Sequence, residues 1–145
     1  PHVEESSKGE YWKRDKELSN DVGDPRERPI LLVRFLEVEK GQSYRVDRIL
    51  KQLSEAIKGE EGENPWYVYW NEWRQGYKLG RHAAIVVPFK SWSELDEDWS
   101  MKETFEKVHG EGTFENWMTE MDEAFSDGYD EFWEFDAYMS GMPNE

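Results

Sequence analysis

The chain has 145 residues, the size of one ordinary domain, with a net charge of −15 and no cysteine. Leu, Ile, Val and Phe make up roughly a fifth of it, near the border where chains stay disordered. Eight Trp, seven Tyr and seven Phe offset this, since each large ring can bury roughly 150–250 Å². The composition therefore fits a folded domain with an aromatic core and a charged surface. It excludes a transmembrane helix, disulfides, thiolate metal sites and cysteine nucleophiles.

The acid is concentrated. Residues 94–145 carry 17 carboxylates and 2 bases. Such a segment repels polyanions, so neither nucleic acid nor an anionic membrane is an expected partner. A solvated acidic face is the plain reading, and a basic partner docking there is the alternative. Asp96-Glu97-Asp98 and Asp127-Gly128-Tyr129-Asp130 lack the alternation and closing Glu of an EF-hand loop, so no metal site is expected.

In chain order, residues 1–29 read as a polar arm ended by Pro25 and Pro29. Within it, Glu10-Tyr11-Trp12-Lys13 is a candidate to pair with a strand edge, lie over a groove, or end a preceding module. Residues 30–38 form a strand that is apolar on both alternating sets, and so covered on both faces. Val46, Ile49, Leu50, Leu53, Ala56 and Ile57 then mark one face of a helix that Gly59 stops. A second strand is expected at 66–73 and a third at 82–89, joined as a hairpin through Gly76 and Gly80. Ser100 with Glu103 makes a capping box for a short helix at 101–109. Thr113 is expected to cap a longer helix carrying Phe114, Trp117, Met118, Met121, Ala124 and Phe125, stopped by Gly128. A last strand is expected at about 132–138.

The order is β-α-β-β-α-β, which specifies an α+β fold of the ferredoxin-like type. Four antiparallel strands would carry helices on one face. The other face, also apolar, would be covered by a second copy of the chain about a two-fold axis. The domain is assigned to residues 30–140, with a short tail at 141–145.

The chain resembles the dimeric α/β-barrel superfamily, which holds antibiotic-biosynthesis-type and haem-degrading monooxygenases and stress-responsive barrel proteins. The resemblance covers about residues 30–139. It rests on element order and on four segments. These are Val38-Glu39-Lys40-Gly41, Phe89-Lys90-Ser91-Trp92, Phe105-Glu106-Lys107-Val108-His109 and Asp130-Glu131-Phe132-Trp133-Glu134. The haem-degrading branch uses a His on the second crossover, an Asn on the first strand and a Trp on the third. Here His109 stands at the His position, Arg34 at the Asn position and Phe89 at the Trp position. The missing Asn and Trp argue against haem degradation, and no cofactor is assigned.

His109 and Arg34 are the candidate catalytic residues. The plain readings beside them are a helix-end histidine and an internal ion pair with a carboxylate of the acidic third. Phe89, Trp70 and Tyr69 are the candidate ligand-binding residues, within an aromatic set that also includes Trp66, Tyr67 and Trp73. The leading expectation is a homodimer that binds a small aromatic or apolar molecule in a cleft between sheet and helices. The alternatives are a monooxygenase using His109 and Arg34, and an interaction module of a larger two-repeat chain.

Overall fold

The computed structural model describes residues 10–74, 81–97 and 100–134. They form β1 (Glu10–Asn20), β2 (Ile30–Val38), α1 (Ser43–Lys58), β3 (Trp66–Arg74) and β4 (Ala83–Phe89). α2 (Met101–His109), α3 (Thr113–Ala124) and β5 (Phe125–Glu134) follow. The expected hairpin turn at Gly76 and Gly80 lies outside the described residues. The architecture is α+β: one antiparallel sheet in the order β1-β3-β4-β2-β5, with three helices.

The sheet has five strands, not the expected four. The addition is β1, cut from the polar segment that precedes Pro25. It pairs antiparallel with β3, from Glu10 opposite Arg74 to Asn20 opposite Trp66, with two irregularities in register. Of the roles open to Glu10-Tyr11-Trp12-Lys13 in the sequence, pairing with a strand edge is the one found, but the strand's full length is not legible there, because an edge strand is held by backbone pairing and a few anchors rather than by two apolar faces. The anchors are specific. Asp15 Oδ1 accepts from the Leu18 and Glu17 amides, and Asp15 Oδ2 accepts from Trp70 Nε1 at 2.9 Å. Ser19 Oγ accepts from the Val68 amide at 3.0 Å, and Leu18 is buried in the main core.

The main core lies between the helices and one sheet face. Ile49, Leu50 and Leu53 of α1 pack there with Trp66 and Val68 of β3, Ala83 and Ile85 of β4, Phe105 and Trp117. The apolar stripe of α1 is the one its sequence spacing specifies. Gly59 does end this helix, but its φ is −80°, so left-handed backbone is not the reason. An added Cβ would sit 2.7 Å from Val108 Cγ2 of α2, so glycine is needed there for close helix approach.

Ser100 caps α2 as expected, its Oγ accepting from the Glu103 amide at 3.3 Å. Thr113 does not cap α3. Gly112 takes the cap position in left-handed backbone, and Thr113 donates instead to the Gly110 carbonyl at 2.6 Å. Gly128 does not stop α3 either. The helix ends at Ala124 and β5 begins at once, several residues before the strand start read from the sequence. Gly128 lies within β5 opposite Leu36, where a Cβ would press on Leu36 Cδ2 and the Phe35 carbonyl.

Candidate functional site

The face of the sheet away from the helices carries a second, smaller core. Alternation along β2 sends Leu31, Val33 and Phe35 to this side. Tyr69 of β3 and Ala84 and Val86 of β4 join them by register. Trp12 of β1 and Phe35 of β2 lie three strand spacings apart, about 14 Å along a flat sheet. Their rings nevertheless meet at 5.8 Å, across the small side chain of Ala84. Tyr129 closes the other side of Phe35 at 5.2 Å. The Arg81 guanidinium lies 4.5 Å over the Phe35 ring and donates to the Tyr129 hydroxyl at 3.2 Å. Phe35 is thereby only 5% exposed. Around this closed centre the face stays open: Tyr129 is 46% and Trp133 50% exposed.

A half-open pocket of about 180 Å³ adjoins the same face. Leu31, Tyr67 and Pro88 form its sheet wall, and Val22, Pro25 and Arg28 its other side. Arg28 is buried, and its guanidinium faces Glu94 Oε1 and the Glu63 carbonyl oxygen, each at 3.4 Å. Burial, with Asp21 next to it, pushes the Tyr67 hydroxyl above its ordinary pKa. Arg14 lies 5.6 Å over the Tyr67 ring and pairs with Asp21.

The residues singled out from the sequence are dispersed. His109 ends α2, packs against Phe105 with the rings tilted and their centroids 4.5 Å apart, and places Nε2 2.8 Å from the Gln52 carbonyl oxygen. Protonated at Nε2, the ring donates there and ties α2 to α1. Glu55 Oε2 is 3.8 Å away. Arg34 lies on the helix-side set of β2 but is about half exposed, in a bidentate pair with Asp130 of β5 at 2.7 and 2.9 Å. No hydrogen bond or ion pair joins it to His109 among the described residues.

Tyr69 and Trp70 are neighbours on β3 and face opposite sides of the sheet: Tyr69 packs with the small core, Trp70 with the main one. Phe89 ends β4 beside Ile30, whereas Trp70 pairs with Ala83 at the other end, about 20 Å along the strand. These three therefore do not line one cleft. Trp66 lies in the main core, and the side chain of Trp73 is outside the described residues.

The acidic third is tied to the basic middle. Besides Arg34–Asp130, Arg48 pairs with Glu120 and Arg45 with Glu123, each at 2.8 Å. Hydrogen bonding to Arg34 holds the Asp130 carboxyl below its ordinary pKa, and Arg48 does the same to Glu120. Among the described residues no group of three or more His, Asp or Glu is arranged to hold a metal ion. No described helix is long and apolar enough to cross a membrane.

The sequence offers Trp12 for a strand edge or groove but does not direct it to Phe35, and it does not point to Arg28 or Arg81 as parts of this face. The arm carrying Trp12 shows no strand alternation. Arg28 was legible only as a charge between Pro25 and Pro29. The chain matches no protein-family model and no curated protein.

Proposed function

We propose that this chain is a ferredoxin-like unit of the dimeric α/β-barrel kind, working as a two-fold pair in which a second copy covers the open sheet face. The observation that carries this reading is the aromatic surface left on that face around an already closed Phe35. The order of β3-β4-β2-β5 supports the ferredoxin-like part, since β2-α1-β3 and β4-α2/α3-β5 are then the two crossover units of a split βαβ.

Area and charge favour a second copy as the occupant. Five strands by six paired residues make a plane of about 24 by 20 Å, roughly 500 Å² before side-chain relief. That is of the order of the roughly 800 Å² per partner in a standard interface. The β1 side of the face carries Arg14, and the β5 side carries Glu131, on the same alternating set as Tyr129 and Trp133. A two-fold axis running roughly along the strands lays the first over the second, so opposite charges meet. The pocket beside Tyr67 is the place for the small apolar ligand. Its volume is below the roughly 300 Å³ of common small-molecule sites, which restricts it to a group about the size of one ring.

Light scattering at micromolar concentration tests the pairing. Twice the chain mass is expected, and Val86→Lys, in the middle of the face, should return it to one. A chain that stays monomeric at every salt concentration, and binds no hydrophobic dye, refutes the proposal.

A further inference from the structure

The half-open pocket beside Tyr67 has stiff walls. Three of the chain's six prolines line it: Pro25 in the turn after β1, Pro65 just before β3 and Pro88 in β4. A proline ring fixes φ and removes the backbone N–H, so these walls are pre-shaped and poor in donors. Leu31, Tyr67 and Pro88 give an apolar floor, with Val22 and Pro25 on the other side. Gly23 turns the chain here with φ of 78°, and a Cβ on it would sit 2.7 Å from Glu63 Oε2. The segment after β1 is thus pressed onto the one before β3, and glycine permits both the turn and the approach.

Three lining residues have polar side chains, and two of these are already committed. Asp24 accepts from the Arg26 amide and, at both oxygens, from the Arg26 guanidinium. The Tyr67 hydroxyl donates to Asp21 Oδ1 at 3.3 Å. Arg28 is different. Its side chain is only 8% exposed, yet among the described residues its guanidinium makes two hydrogen bonds, each at 3.4 Å. A guanidinium has five N–H donors, and its charge-assisted bonds normally close to about 2.7–2.9 Å. Its partner Glu94 is partly exposed and also accepts from the Lys90 amide, so that carboxylate is shared. A cation this buried and this loosely held is short of acceptors.

We propose that this pocket binds a single aromatic ring bearing a carboxylate, the ring against Leu31, Tyr67 and Pro88 and the carboxylate on Arg28. This rests on the reading of the pocket as the ligand's place and adds the chemical class. A carboxylate matches the planar fork of a guanidinium, supplies the acceptors that Arg28 lacks, and leaves the ring in the apolar part. The same group disfavours a cationic ligand. The nearest carboxylates do not bar the acid, since Asp24 is paired with Arg26 and Asp21 with Arg14. The net charge of −15 acts at longer range, where a Debye length of about 10 Å at 0.1 M salt screens it.

The test is methyl-detected NMR of the full chain, titrated separately with benzoate and with benzyl alcohol in about 0.15 M NaCl. The methyl signals of Val22 and Leu31 report the pocket. Benzoate should shift them with a Kd near millimolar, about tenfold tighter than benzyl alcohol. Glu94→Gln removes the competing charge and should tighten benzoate several-fold relative to benzyl alcohol. Arg28→Met should erase the preference for benzoate while benzyl alcohol still binds. Val22→Trp fills the pocket and should block both, and Leu31 shifts that persist in it overturn the placement. Equal or weaker binding of benzoate, or a preference indifferent to Glu94→Gln, overturns the carboxylate class and leaves the apolar pocket standing. No shift with either probe at tens of millimolar overturns the pocket reading and this proposal together. Should Arg28→Met fail to fold, Glu94→Gln decides, because a purely structural Arg28–Glu94 pair gives no gain in benzoate binding when it is weakened.

Discussion

Phe35→Ala is the sharpest test of the small core, because that core is built by side chains from all five strands and by Arg81 just before β4. Phe35 is 5% exposed, between Trp12 at 5.8 Å and Tyr129 at 5.2 Å, with the Arg81 guanidinium at 4.5 Å. Removing a buried Phe ring costs about 3–5 kcal/mol. The lower end is expected here, since Trp12 and Arg81 lie on the outer side and can close over part of the cavity. At ~2–4 °C per kcal/mol for a chain of this size, the melting temperature should fall by about 6–12 °C. Urea unfolding at low protein concentration, where association adds nothing, measures the free energy directly. A cycle with Trp12→Ala should show coupling of about 0.5–1.5 kcal/mol, the usual worth of an aromatic pair. A loss under about 1 kcal/mol, far below the usual cost of a buried Phe, would mean that the ring is not enclosed within a single chain. The closed centre of the open face would then be wrong.

Asp130→Asn should lower stability at neutral pH by less than about 1 kcal/mol, because the pair with Arg34 is about half exposed. The Asp130 pKa is depressed in the folded chain, so this stabilisation is present above the ordinary Asp value of 3.8 and is lost as pH falls through the lower folded value. Urea curves of the two proteins should therefore converge in acid, and a constant gap would contradict the assignment. Gly59→Ala should destabilise by about 1 kcal/mol through contact with Val108, yet stabilise by about 0.4–1 kcal/mol when Val108 is already Ala. The same sign in both backgrounds, read by thermal melts, would show that Val108 does not set the spacing of α1 and α2. Melting temperature should rise between low salt and 1 M NaCl, most steeply at first, as the surplus carboxylates of residues 94–145 are screened. A falling curve would mean that pairs such as Arg45–Glu123 and Arg48–Glu120 outweigh the repulsion.

Local rules made much of the fold legible. Two-sided apolarity marked Ile30–Val38 as an interior strand, and it lies between β4 and β5. The spacing from Val46 to Ile57 gave the buried face of α1, and Ser100 with Glu103 placed the start of α2. These signals survive without tertiary information because periodicity and capping are properties of neighbouring residues. The tertiary structure decided the rest. Glu10–Asn20 becomes a strand because the β3 edge offers it backbone partners, and nothing in its own alternation requires that. Arg34 finds Asp130 across 96 residues only because β2 and β5 pair in that register. Gly59 does stop α1 and Gly128 does not stop α3, but at both positions a close contact requires glycine, and a close approach between distant segments leaves no local pattern. The sequence presents the neighbours Tyr69 and Trp70 as one aromatic set, but a strand sends adjacent side chains to opposite faces, so they belong to different cores.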